Sequence, residues 1–265
     1  MGKILHFTSG LPRSCSTLLQ NLLAQNPRVH ATPTSTLHEF GFQARRAFNS
    51  DVAGSANKAE LETMYCDYIR AGCENAFNSI TDRPVVVDKS RAWVGYIDQL
   101  FKVWPDAKVL VPVRDVRGIV CSMEKKFRAH PSVLTATEVK NAAQWTTLDK
   151  RVQGWLSHPP VGIAIERVHE AASRFKDKLH FVHAEDLTED PQGTMNGVWE
   201  YLGEEPFIHN TQNVEQYTQE HDVGFPYGDH EIRPEVKPLK PDWHDILGRQ
   251  TSQVLQQKFN WINEL

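Results

Sequence analysis

The sequence predicts an α/β fold, with helices on both faces of a central, mainly parallel sheet, in one domain spanning residues 1–265. Three observations predict it. Apolar runs of strand length alternate with stretches of helical spacing along most of the chain. Two of the runs, at Val85-Val86-Val87 and Val109-Leu110-Val111, are continuous, as expected of strands buried on both faces. The 265 residues, 40% hydrophobic and 23% charged, are enough for one large domain. A 9% aromatic content with ordinary Gly and Pro excludes a disordered, collagenous or disulfide-scaffold chain.

The first strand is read over Lys3 to Thr8. It ends in SGLPRSCST, and a helix follows from Ser16 to Gln25, stopped by Asn26-Pro27. An amphipathic helix covers Lys58 to Asn78. Pro84 to Val87 form a short buried strand that runs into Asp88-Lys89, and Trp93 to Val103 read as a helix. Lys108 to Val113 are the next buried strand, ending at Arg114. Helices are expected at Val116–Phe127 and Ala136–Leu156, before the breaker His158-Pro159-Pro160. Ile163, Val168, Ala171 and Phe175 have helical spacing, Leu179–His183 form the last strand, and Asp186–Leu202 a helical return that has Asp190-Pro191 inside its start. From 207 to 241 no period is sustained, and so long an irregular stretch is expected to be functional or mobile.

No run reaches the roughly 20 apolar residues of a membrane span, and the N-terminus enters a strand where a signal peptide would carry its apolar region. A cytoplasmic protein with no membrane span is expected. Cys15, Cys66, Cys73 and Cys121 are too few and too irregular for a zinc set or disulfide framework, so free thiols are expected. The net charge of −4 argues against nucleic acid as a partner. The charge is unevenly spread, however. Residues 1–50 hold five Lys/Arg against Glu39, and residues 102–130 hold seven against Asp106, Asp115 and Glu124. Two basic segments in an acidic chain fit either a local site for a small polyanion or a solvated basic face.

The loop Gly10-Leu11-Pro12-Arg13-Ser14-Cys15-Ser16-Thr17 sits between strand and helix, where main-chain amides and the helix's positive end make an anion site. It has the length of a nucleotide P-loop, G-x4-G-K-[ST]. Ser16 stands where the P-loop Lys would be, and Cys15 where its second Gly would be. Without that Lys the loop is poorly built for a magnesium triphosphate. The segment GLPRSCSTLLQNLLAQNP resembles the 5′-phosphosulfate loop of sulfotransferases, usually GxPRSG[ST][ST]LL. The resemblance implies a P-loop NTPase-like three-layer α/β/α fold. Cys15 departs from it, and a Cβ there strains the loop or crowds the anion.

Arg114-Asp115-x-Arg117 with Ser122 eight residues after Arg114 resembles the same family's 3′-phosphate motif. A guanidinium at a strand tip suits a phosphate dianion, and Lys126 lies one turn beyond Ser122. Asp88-Lys89-Ser90 resembles the N-K-D-P segment of the tyrosylprotein branch, which the motif order matches best. In open α/β sheets ligands gather beyond the carboxyl ends of strands, so strand ends at Ser9, Asp88 and Val113 would bring their cations to one crevice. His183-Ala184-Glu185-Asp186-Leu187 with Asp190-Pro191 resembles a chiefly structural segment, with His183 near the adenosine. Val236-Lys237-Pro238 resembles a late element whose lysine approaches the nucleotide.

The resemblance implies transfer of a sulfuryl group from 3′-phosphoadenosine 5′-phosphosulfate, leaving adenosine 3′,5′-bisphosphate, without a metal. Arg13 and Lys89 are the expected catalytic cations. Arg13, Ser14, Cys15, Ser16, Thr17, Arg114, Ser122, Lys126 and Lys237 are the expected donor-binding residues. A base for the acceptor hydroxyl or amine is sought in Glu39 first and His38 second, because a base must lie within hydrogen-bond reach. The acceptor's class and the oligomeric state stay open. A P-loop kinase, with Asp88 as its best magnesium carboxylate, and a non-catalytic bisphosphate-binding protein remain alternatives.

Overall fold

The computed structural model describes residues 2–48, 57–129, 145–220 and 230–265. Its five strands are β1 (Ile4–Thr8), β2 (Val29–Thr34), β3 (Val85–Lys89), β4 (Val109–Val113) and β5 (Leu179–His183), ordered β2-β3-β1-β4-β5. Every pairing is parallel. The mainly parallel sheet expected from the sequence is therefore present. It places β1 in the centre, with Thr8 opposite Lys89 of β3 on one side and Leu110 of β4 on the other.

Alternation along the strands sorts the core into two layers. Leu5, Phe7, Val86, Val109 and Val111 face one core. It is covered by α3 (Lys58–Asn78), α4 (Ile97–Val103), α5 (Val116–Ala129), α6 (Leu148–Ser157) and α7 (Val161–Phe175). Val85, Val87, Leu110 and Val182 face the other. There α1 (Ser16–Gln25) and α9 (Pro191–Leu202) contribute Leu19, Leu22, Leu23, Met195 and the fully buried Trp199.

Several elements depart from the sequence reading. The strand β2 and helix α2 (Leu37–Phe48) occupy a stretch with no predicted element. Pro33 within β2 is tolerated because β2 is an edge strand and its register shifts between Ala31 and Thr34. The expected helix Ala136–Leu156 is partly outside the described residues, and its described part begins at Leu148 after Thr147 caps Lys150 N. The helical return splits into α8 (Ala184–Glu189) and α9, because Asp190 accepts from Gly193 N as the cap of a new helix with Pro191 in its first turn. Two further helices, α10 (Trp243–Leu247) and α11 (Arg249–Phe259), pack near α5. Residues 207–220 and 230–241 contain no helix or strand. Asn21 of α1 holds the first of these stretches, accepting from Tyr217 N and Thr218 N and donating to Thr218 Oγ1.

Candidate active site

The loop after β1 owes its course to two local features. Gly10 lies against Pro112 so closely that a Cβ would overlap the carbonyl oxygen of Pro112, and Leu11 N donates to that same oxygen at 2.8 Å. Arg13 and Cys15 then take left-handed backbone angles, φ 60° and 59°. That conformation turns the chain into α1, whose first turn has no side-chain cap. Its leading amides thus face the crevice at the positive end of the helix. The hydroxyl of Ser14 donates to Leu11 O inside the loop, leaving only its amide for a ligand.

Arg13 and Arg114 converge. Arg114 Nη1 donates to Arg13 O at 2.9 Å, and Arg13 Nε donates to Ser122 Oγ at 3.0 Å. The loop, the tip of β4 and the second turn of α5 are thereby one unit. Gly118 makes room for it, since a Cβ there would stand 2.7 Å from Arg114 Nε. That Nε is buried without a hydrogen-bond partner, and the nearest carboxylate, Glu185 of α8, is 3.9 Å away. Lys126 is half-buried one turn beyond Ser122. His183 ends β5 opposite Val113, next to Arg114. Asp115 and Arg117 point into their own ion pair, and Arg117 lies 4.5 Å over the Trp243 ring.

On the other side of β1, Lys89 projects onto the α1 face. Its Nζ donates to Thr17 Oγ1 at 3.3 Å and pairs with Glu220, both side chains being over nine-tenths buried. Glu220 also accepts from Thr34 Oγ1 at 2.7 Å and lies 3.2 Å from His230 Nε2. Burial pushes the Glu220 carboxyl up, but Lys89, Thr34 and His230 outweigh it and hold the group below the usual carboxylate range. Arg91, exposed two residues after Lys89, is within electrostatic reach of Glu220 and Arg13. Asp88 points to the opposite face and accepts from Trp93 Nε1 at 2.7 Å, Ser35 Oγ at 2.8 Å and Thr32 Oγ1 at 3.2 Å. These bonds make it a brace of the sheet's end.

The sequence profile of the sulfotransferase family matches residues 7–208. The chain belongs to the sulfotransferase family. Solved structures similar in fold include a sulfotransferase from Alicyclobacillus acidocaldarius, at 14% identity and TM-score 0.52 over 98% of this chain and 97% of that one. The sulfotransferase domain of the Synechococcus olefin synthase matches at 17% identity and TM-score 0.53 over 97% and 94%. The sulfotransferase domain from the curacin biosynthetic pathway matches at 16% and 0.53 over 98% of each chain. No curated protein sequence matches the chain.

Within this sulfotransferase the acceptor-side candidates meet on α2. His38 Nδ1 is 3.1 Å from Ser90 Oγ, immediately after Lys89, and His38 Nε2 is 3.4 Å from Glu39 Oε1. The imidazole is mostly buried and the Glu39 side chain is 52% exposed. Burial lowers the His38 pKa below the ordinary histidine value, against the raising effect of Glu39. Lys237 is 61% exposed and pairs with Glu235. Cys15 is a free thiol, as are the other three, and burial raises its pKa against the pull of Arg114 and Arg13. Among the described residues no group of three His, Cys, Asp or Glu could hold a metal ion, and no helix is long and apolar enough to cross a membrane.

Glu220 and Glu185, and Arg91 by its electrostatic reach alone, are the candidate-site residues that sequence reasoning missed or left as structural. Glu220 carries no local signal, being one acid in an aperiodic tract. Arg91 could have been found, since it follows a strand-end lysine by two residues.

Proposed function

We propose that the protein transfers a sulfuryl group from 3′-phosphoadenosine 5′-phosphosulfate to an acceptor hydroxyl. The observation that carries this reading is the joined unit Arg114–Arg13–Ser122, which sets a strand-tip guanidinium beside the loop amides. In this reading the amides of residues 14–17 and the hydroxyls of Ser16 and Thr17 hold the 5′-phosphate. Arg114, Ser122 and Lys126 hold the 3′-phosphate, the group that separates this donor from ATP; the Arg114 Nε, buried without a hydrogen bond, supports that role. Arg13 and Lys89 neutralise the charge that builds on the bridging oxygen as the bond to sulfur breaks.

The geometry favours His38 over Glu39 as the base. With Nδ1–H donated to Ser90 Oγ, the Nε2 lone pair takes the acceptor proton, and Glu39 stabilises the imidazolium that forms. Asp88-Lys89-Ser90 keeps its resemblance to the tyrosylprotein branch. The kinase reading is weakened by Asp88, whose carboxylate is taken up by three donors.

Thermal-shift titration with adenosine 3′,5′-bisphosphate and with ATP-magnesium tests the donor, and labelled donor with a panel of alcohols tests the transfer. Stronger stabilisation by the bisphosphate together with label transfer is the expected result. Stronger stabilisation by ATP-magnesium would overturn the proposal.

A further inference from the structure

Glu220 stands at the carboxyl edge of the sheet, against the tips of β2 and β3. Thr34 Oγ1 donates to it, Lys89 pairs with it, and the same Lys89 Nζ reaches Thr17 Oγ1 at the start of α1. Its place there is fixed by the chain on either side. Asn21, fully buried in α1, accepts from the amides of Tyr217 and Thr218. Val214 N donates to Pro234 O at 2.7 Å, and Gln216 Nε2 donates to His230 O at 3.0 Å, so the two irregular stretches are tied together beside Glu220.

The carboxylate stays ionised, because Lys89, Thr34 and His230 outweigh its burial. Its side chain is 8% exposed, so salt screens it weakly. A negative charge beside an anion site opposes every anion, in proportion to the charge that the anion carries. A terminal sulfuryl group carries a single negative charge, whereas a terminal phosphoryl group of nearly the same shape carries close to two above neutrality. Lys89 and Arg91, the cations in reach of Glu220, would by themselves favour the phosphoryl group. A repulsive element reverses that order.

We infer that Glu220 is a specificity-determining residue, a fixed carboxylate that admits a donor ending in a singly charged sulfuryl group and turns away its doubly charged phosphoryl counterpart. The inference rests on the sulfuryl-transfer reading, which puts the donor's terminal group at Lys89. It adds a selection that the grip on the 3′-phosphate cannot make, since both nucleotides carry that phosphate. Lys89 keeps its charge within the pair, so it still attracts an oxygen at contact while the pair as a whole is neutral.

The test uses the full chain at about pH 8, where a terminal phosphoryl group is fully ionised. Calorimetry compares 3′-phosphoadenosine 5′-phosphosulfate with adenosine 3′-phosphate 5′-diphosphate and with the singly charged terminal fluoro analogue of that diphosphate. Adenosine 3′,5′-bisphosphate is the reference. The parent is expected to bind the phosphosulfate and the fluoro analogue alike, and the diphosphate about tenfold more weakly. In Glu220→Gln that gap should close, through tighter diphosphate binding, with the shorter bisphosphate changing less. Glu220→Asp sets its carboxylate one methylene further back, so its gap should fall between the two; it decides the matter if Glu220→Gln does not fold. Equal affinity of the parent for phosphosulfate and diphosphate would overturn the inference, as would an unchanged gap in the variants. So would a parallel loss of affinity for all the nucleotides, the mark of a purely structural role. No bisphosphate binding by the parent would instead sink the donor reading itself.

Discussion

Arg114 donates from Nη1 to the carbonyl oxygen of Arg13 at 2.9 Å, across 101 residues of chain. This bond fixes the loop after β1 relative to the tip of β4, so two cations converge without waiting for a ligand to gather them. Pre-positioned charge is what an anhydride-cleaving site needs, because nothing then has to reorganise as charge develops.

Removing the Arg114 side chain should therefore cost binding more than folding. Arg114→Ala is expected to weaken adenosine 3′,5′-bisphosphate by about 100-fold, the scale of charge-assisted hydrogen bonds. Gly118→Ala should weaken it by a smaller factor, since the new Cβ displaces the guanidinium. Calorimetric titration checks both, and parental affinity in both variants would remove Arg114 from the donor site.

The Lys89–Glu220 pair is buried, so breaking it from one side leaves an uncompensated charge. Lys89→Met is expected to destabilise the fold by about 3–5 kcal/mol. Adding Glu220→Gln should restore much of the stability but not the turnover. Urea unfolding alongside initial rates separates the two, and full turnover in the double variant would exclude Lys89 from the chemistry.

His38 as base implies an acid limb in the rate profile. Burial lowers its pKa, so activity is expected to be flat near neutrality and to fall as pH drops through a value below about 6.5. His38→Gln should abolish that limb along with most of the rate. Glu39→Gln removes an influence that raises the His38 pKa, so the limb should move to lower pH in that variant, whereas its disappearance there would transfer the base role to Glu39.

Cys15 holds φ 59°, a conformation that costs a residue with a Cβ about 1–2 kcal/mol relative to glycine. Cys15→Gly should be neutral or stabilising by up to about 1 kcal/mol, because glycine's extra freedom in the unfolded chain offsets part of the gain. Cys15→Val should destabilise instead. Thermal melts rank the three, and a valine variant as stable as the parent would contradict the left-handed turn.

Two buried histidines make the fold acid-sensitive. His6 accepts from Lys108 N, and His209 accepts from Trp199 Nε1. Burial lowers each pKa to about 4. The unfolded chain therefore binds more protons between about pH 6.5 and 4, and stability falls with pH across that window by up to about 1.4 kcal/mol per unit for each group. Urea midpoints at pH 7 and 5 check this, and equal midpoints would show that neither histidine is held neutral.

Local features made much of this legible. Apolar runs of strand length announced β1, β3, β4 and β5, and Asn26-Pro27 marked the end of α1. The pattern of residues 10–17 and 114–122 pointed to an anion crevice. The edge strand β2 was hidden by its Pro33 and its broken register, and α2 by having no recognised start. Ranking Glu39 above His38 followed from its being the lone early acid, which says nothing of exposure.

By itself the sequence determined β1, β3, β4 and β5 and the loop after β1, and that cations would sit at strand tips, because those depend on neighbours in sequence. The tertiary structure alone decided that Glu220 returns across 131 residues to Lys89, that Asp88 braces Trp93 instead of facing a ligand, and that an aromatic cavity backs His38. Those outcomes depend on strand order and on which segments the sheet brings together, and pairings across such distances leave no period or spacing in the chain to read.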